Sequence, residues 1–282
     1  MVMGARDSRA DGYESFYREF DSSLMRRVRK EAYGEDIGQH SWVGADELRA
    51  DIRRLELSPA SRLLDLGCGP CGPLTFVLAN VGCPGTGLEL SAPAVRAGRA
   101  RAGALGVAAV LTAQEADLNA SLPCGTHSFT AAMSLDVVCH IRDRARLFQE
   151  VARVLSPGGR FLFTDPCVIT GSVSSDEVRR RSIHGYTEFA APGWNEATLD
   201  GAGFRLIETE DRTLSVLRNA RGRLAAVQTY RADLEHTLGA AAVRDQQDHL
   251  EIVIELARRG AVSRVMYLAE RSNCGGRGSG EP

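Results

Sequence analysis

Residues 63–72 read Leu-Leu-Asp-Leu-Gly-Cys-Gly-Pro-Cys-Gly, and no other run limits the fold as much. A short apolar stretch interrupted by one acid, Asp65, passes directly into a turn carrying Gly67, Gly69 and Gly72. That order reads as a buried strand, a tight turn and the start of a helix. Glycines at such a turn let a ligand lie against bare backbone, and the helix that follows presents free N–H groups. A second acid, Glu89, follows Gly69 by 20 residues and ends the next apolar run. A carboxylate at that distance suits ribose hydroxyls.

Three ligand chemistries compete for this turn. Gly67-x-Gly69-x-x-Gly72 fits the dinucleotide pattern literally, and Cys68-Gly69-Pro70-Cys71 has redox spacing. Asp65 weighs against a dinucleotide, because its charge would face a pyrophosphate, and like charges at ~4 Å repel by roughly 1 to 4 kcal/mol. S-adenosylmethionine (SAM) carries an ammonium and a sulfonium and no phosphate, so the same carboxylate attracts it. No Trp precedes Cys68, and the pair sits inside a strand–turn–helix that already has a ligand role. Both cysteines therefore read as small, partly buried residues.

Beyond the turn, short apolar runs alternate with helical stretches, the signature of a mostly parallel α/β sheet with helices on both faces. Strands are expected at 62–66, 85–89, 108–112, 129–134, 160–165, 204–213 and 263–271, and helices at 92–105 and 144–155. Polar alternation in the last two strands suits a sheet that finishes on an antiparallel edge strand; the strand order stays open. Residues 1–50 precede the sheet as a helical lid segment, and 51–271 form the ligand-binding domain. A helical insertion at 214–262 completes a cap over the carboxyl ends of the strands, and the Gly-rich tail 272–282 is expected to be disordered.

A net charge of −2 over 282 residues gives no reason to expect nucleic acid or an anionic membrane as partner. No apolar run approaches the ~20 residues of a membrane span, and the first residues lack a signal core. Seven cysteines without framework spacing point to a reducing cytoplasm. A homodimer through the covering helices would be unsurprising.

The chain resembles the Rossmann-like (class I) SAM-dependent methyltransferases. Leu64-Asp65-Leu66-Gly67-Cys68-Gly69, Glu89, Ala116-Asp117-Leu118 and Arg153-Val154-Leu155-Ser156-Pro157-Gly158-Gly159-Arg160 carry the resemblance, over roughly residues 40–271. It implies SAM as cofactor and S-adenosylhomocysteine as product. It places Asp65, Gly67 and Gly69 at the methionine end, Glu89 at the ribose hydroxyls and Asp117 at the adenine amine. Leu90 and Leu118 would sandwich the adenine, and Ser134 and Leu135 would close the fourth strand near the sulfonium, with Asp136 there or capping the next helix. A shorter run, Tyr33-Gly34-Glu35-Asp36-Ile37-Gly38-Gln39-His40-Ser41-Trp42, looks like the pre-sheet segment of sarcosine/dimethylglycine-type methyltransferases. It is also similar to that of actinobacterial enzymes of secondary metabolism, some of which methylate indole C3.

Tyr13, Phe16, Tyr17 and Phe20 fall at i, i+3, i+4 and i+7, on one face of a helix. That face either packs on the core or forms an aromatic lid, extended by Trp42. π-faces stabilise a sulfonium by ~0.5 to 2 kcal/mol. His40 is the first candidate base, with Tyr17 as its orienting or relaying partner. His140, His184 and Tyr186 are further substrate candidates, and the choice of base among His40, His140 and His184 stays open. No acidic cluster near the fifth strand beyond Asp165 and no i, i+4 His pair suggests a catalytic metal. The expected reaction is in-line methyl transfer to a small, aromatic-bearing substrate, at indole C3 of a tryptophan-derived compound. The alternatives are N-methylation of an amine, O-methylation, and a non-catalytic SAM-binding protein.

Overall fold

The structure, a computed structural model, describes Tyr17 and residues 19–182 and 186–272. Tyr13, Phe16, His184 and the tail from 273 lie outside the described residues. Seven strands form one sheet: β1 (Leu63–Leu66), β2 (Gly85–Glu89), β3 (Leu111–Glu115), β4 (Phe129–Leu135), β5 (Leu155–Ile169), β6 (Phe204–Asp211) and β7 (Val262–Arg271). Their order is β3-β2-β1-β4-β5-β7-β6, and β7 runs opposite to the other six. Before the sheet come α1 (Ser23–Tyr33) and α2 (Ala45–Arg54). Within it come α3 (Gly72–Val81), α4 (Ala92–Ala104), α5 (Arg144–Val154), α6 (Ser175–Arg181) and α7 (Trp194–Gly201). Between β6 and β7 come α8 (Thr213–Thr229), α9 (Arg231–Leu238) and α10 (Ala240–Arg258).

The antiparallel strand is not the edge. β7 is buried along most of its length, whereas β6 exposes Arg205, Leu206 and Ile207 in succession. A strand buried on both faces must lie inside a sheet, so β7 slots between β5 and β6 and leaves β6 outermost. The third strand also starts later than the apolar run at 108–112 suggests. Gly106 takes a φ of 72°, and Val110 N–H closes a turn on the Val107 carbonyl at 3.1 Å. Pairing begins only where Gly85 meets Leu111. β5 outruns its expected limits at both ends, because Leu155 pairs with Phe129 and Ile169 with Val262.

The two sheet faces bury separate cores. Leu48, Leu74, Val77, Leu78 and Val95 cover one. Phe148, Phe161, Phe163, Phe204 and Tyr267 fill the other, with Phe163 stacked on Tyr267 at 4.8 Å between centroids. A third core lies outside the sheet, where Leu24, Met25 and Val28 of α1 meet Val216, Ala220 and Val227 of α8. Each such side chain contributes about 1.5–3 kcal/mol on burial. The segment before the sheet and the insertion after β6 thus share one cap.

A buried ion network fastens that cap to the sheet. Arg212 reaches Asp51 at 2.5 Å and Glu47 at 3.1 Å, and Arg264 of β7 reaches Glu47 at 2.6 Å and Asp136 at 2.7 Å. Removing one partner of such a buried pair leaves an uncompensated charge and costs about 3–5 kcal/mol. Among the described residues no helix is long and apolar enough to cross a membrane.

Candidate active site

At the end of β1, Gly67 (φ 73°) and Gly69 (φ 54°) turn the chain through backbone conformations that side chains resist. Glu89, at the end of β2, braces the turn. Its two carboxylate oxygens accept N–H bonds from Gly69 at 3.0 Å and Ser91 at 2.9 Å. Burial pushes the Glu89 carboxyl up.

Asp65 is buried in the same corner, facing no cation. Its burial and then the Glu89 charge push its carboxyl up to about 8. A corner with two carboxyl groups and no cation paired to either fits a ligand that brings its own positive groups, such as an ammonium and a sulfonium. It does not fit a pyrophosphate. Asp117, exposed beyond β3, accepts from the Asn119 N–H and side-chain amide through Oδ1. Leu90 and Leu118 lie beside it on the same cavity.

Ser134 corrects the expectation. It is fully buried, and its hydroxyl donates to the Leu66 carbonyl at 3.1 Å, tying β4 to β1. Leu135 lines the cavity as expected, followed by Asp136 and Val137. Asp136 is not a helix cap, for Asp143 caps α5. At a φ of 63° it turns back and gathers Trp42 N–H, the Thr164 hydroxyl and Arg264 Nε, each at 2.7 Å.

The strap carrying His40 and Trp42 is held from every side. Trp42 N–H goes to Asp136, and its carbonyl accepts from the Asn219 amide at 2.6 Å. The Arg223 guanidinium lies 4.9 Å from its ring centroid. Tyr33 donates to the Ser41 carbonyl at 2.9 Å. Gly72, the third glycine of the turn, allows this approach, because a Cβ there would land on the Gly38 carbonyl. Gly72→Ala is expected to cost about 1–3 kcal/mol of stability. It should also slow single-turnover methyl transfer by displacing His40; thermal melting and rapid quench measure the two.

His40 sits in an aromatic corner, with ring centroids 6.0 Å from Tyr17 and 6.3 Å from Phe20. The Tyr17 hydroxyl lies over Gly69, 3.2 Å from where a Cβ would stand. The structure therefore brings Tyr17, His40 and Trp42 to the glycine turn. His140 also faces the cavity, with Nδ1 3.0 Å from the Tyr186 carbonyl. The Tyr186 ring turns away, under Arg142 and with its hydroxyl on Glu188 at 3.0 Å, and Thr187 takes its place on the wall. Sequence reasoning missed Arg181, Arg223, Gln246 and His249, which line the cavity from three helices.

Cys68 and Cys71 are both buried, with Sγ atoms 3.5 Å apart. The Cys71 hydrogen bond and burial push the Cys68 thiol up, away from a reactive thiolate. Cys139, Asp165 and Cys167 place ligand atoms within 4.8 Å of one another. The Asp165 carboxylate there is already engaged by Arg144 at 2.6 Å and Asn195 at 3.0 Å.

All of this encloses one cavity of about 980 Å³. That is the upper end of the range for small-molecule sites, roughly 300–1,000 Å³, and leaves room for a cofactor and a second molecule.

Residues 64–163 match the model of a methyltransferase domain. The glycine/sarcosine/dimethylglycine N-methyltransferase of Actinopolyspora halophila is 29% identical over 200 residues, 64% of this chain and 34% of that protein. Phosphoethanolamine N-methyltransferase 1 of Zea mays is 28% identical over 210 residues, 73% of this chain and 41% of that protein. The chain thus spans well under half the length of these relatives. Among solved structures, Haemonchus contortus phosphoethanolamine N-methyltransferase 2 in complex with SAM superposes with a TM-score of 0.79 at 18% identity, covering 97% of this chain and 62% of that one. A cyclopropane synthase from Mycobacterium tuberculosis gives 0.78 at 14%, covering 93% and 98%. Residues 64–163 therefore match a methyltransferase domain, and the sheet with its helices has the Rossmann-like fold of the solved SAM-dependent methyltransferases it superposes on.

Proposed function

We propose that the protein transfers the SAM methyl group to a nitrogen of a small amine or amino-acid-like substrate. The observation that carries this reading is one continuous cavity of about 980 Å³. It is lined by both Asp65 and His40 and has room for a cofactor and another molecule. The N-methyltransferases among the relatives support a nitrogen acceptor.

Each part of the chain has a role in this reading. Asp65 takes the ammonium of the methionine end against Gly67 and Gly69. Glu89 keeps lone pairs for both ribose hydroxyls while bracing the turn, since each carboxylate oxygen accepts more than one bond. Asp117 takes the adenine amine between Leu90 and Leu118. SAM supplies an electrophilic methyl on a sulfonium. The strap and cap align the acceptor and keep water out, and His40 removes the proton that the acceptor must lose.

A second reading, transfer to indole C3 of a tryptophan-derived compound, is favoured by the flat wall of Trp42 beside the Tyr17–His40 pair. There a base takes the indole N–H proton. Mass spectrometry of reactions with glycine, sarcosine, phosphoethanolamine, tryptophan derivatives and tryptophan cyclodipeptides separates the two. A monomethylated amine supports the first reading. A monomethylated tryptophan compound that has lost its indole absorbance moves the acceptor to carbon. No product across the panel with intact SAM counts against both.

A further inference from the structure

We propose that Arg181 and Arg223 form an anion-binding subsite on the wall that α6 and α8 give to the cavity, seating a carboxylate or phosphate carried by the methyl acceptor. The inference rests on the reading that this cavity holds the acceptor, and it holds for either acceptor atom.

Five arginines are buried among the described residues. Four of them meet a carboxylate: Arg29 with Asp36 at 2.7 Å, Arg144 with Asp165 at 2.6 Å, Arg212 with Asp51 at 2.5 Å and Arg264 with Asp136 at 2.7 Å. Arg181 is the exception. It is 9% exposed, lines the cavity and, among the described residues, donates only to the Pro166 carbonyl, at 3.4 Å. Buried cations are paired because desolvating a lone charge costs several kcal/mol, so the missing counter-charge is one a ligand supplies.

Arg223 repeats the pattern from α8. It is half-buried on the same cavity, and its guanidinium lies over the Trp42 ring. No carboxylate among the described residues forms an ion pair with it. Asp245 and Asp248 of α10 also line the cavity, but both are exposed and neither reaches either guanidinium. A guanidinium presents its donors in a planar fork that matches two oxygens of a carboxylate or phosphate.

The cavity thus carries carboxyl groups at Asp65 and Glu89 and guanidinium groups at Arg181 and Arg223. A substrate with its acceptor atom at one end and an acid at the other enters in one orientation, acceptor toward the glycine turn. Asp65 and Glu89 repel the acid from the glycine turn.

The test uses the full chain saturated with S-adenosylhomocysteine and isosteric pairs of probes. Sarcosine against sarcosinamide and indole-3-acetate against indole-3-acetamide probe a carboxylate seat. Phosphoethanolamine against ethanolamine, with inorganic phosphate as competitor, probes a phosphate seat. Titration calorimetry should show at least one acid binding about tenfold or more tighter than its neutral partner, the loss expected for a charge-assisted pair. Arg223→Gln and Arg181→Gln should each remove most of that preference while affinity for S-adenosylhomocysteine stays within about twofold. Arg181→Lys, which keeps the charge but not the fork, stands in if Arg181→Gln does not fold. Equal binding of acid and neutral partner, no saturable binding by any acid probe, or an acid preference untouched in both variants overturns the subsite. Acid preference without methyl transfer to any probe overturns the proposed reaction and leaves the subsite standing.

Discussion

Affinity for S-adenosylhomocysteine should rise about tenfold with each pH unit on approach to about 8 and then level off. The product carries the same α-ammonium as the cofactor, so it reports on the same corner. In the unliganded protein, burial and the neighbouring Glu89 keep the Asp65 carboxyl protonated up to about 8. The arriving ammonium favours the carboxylate, so the bound-state value is lower and binding releases a proton. Below the unliganded value each lower pH unit therefore makes binding harder, until the bound-state value is reached. Calorimetry in two buffers of different ionisation enthalpy counts the proton directly. Asp65→Asn should flatten the profile and cost about 1.5–3 kcal/mol, roughly a ten- to hundredfold loss. The unliganded protein should show the mirror effect. Its folded state holds a proton on Asp65 that the unfolded chain, near 3.9, has already lost. Stability therefore falls as pH rises from the ordinary carboxylate range to about 8 and is flat beyond. A flat binding profile would mean that Asp65 is already ionised before the ligand arrives.

What could be read without coordinates was what lies close together along the chain. Asp65, the glycine turn and Glu89 belong to two consecutive strands joined by one helix, and β2 falls where its apolar run predicts. Errors arose where a global choice overrode a local pattern. Ser134 and Leu135 are adjacent, and the two-residue period of a strand sends one to the Leu66 carbonyl and the other to the cavity. No composition cue marks that parity. β7 was legible as antiparallel but not as internal, because its position depends on how much of it the finished fold buries. The acceptor wall was least legible. Trp42 and Asn219 are separated by 177 residues, and only packing of α1 on α8 brings them together. Asn219 and Arg223 sit one helical turn apart on α8, a spacing that looks like any amphipathic helix.

His40→Ala should slow single-turnover methyl transfer by about 10²–10⁴-fold while leaving affinity for S-adenosylhomocysteine unchanged. The two effects separate because the cofactor corner is built from Asp65, Gly69 and Glu89, none of which is held through the His40 ring. Tyr17→Phe should cost less, about tenfold or under, since the ring contact with His40 survives and only the hydroxyl over Gly69 is lost. The size of the His40 effect also depends on the acceptor. An amine that enters neutral already holds a nucleophilic lone pair, so a base needs only to clear the proton after transfer. An indole carbon gains nucleophilicity as its N–H proton leaves, so there the base acts in the rate-limiting step. A loss at the upper end, partly restored by added imidazole, would favour the carbon acceptor. A loss near the lower end would favour nitrogen. An unchanged rate would make His40 a wall of the cavity and shift the search for a base to His140 and His249, which face the same space.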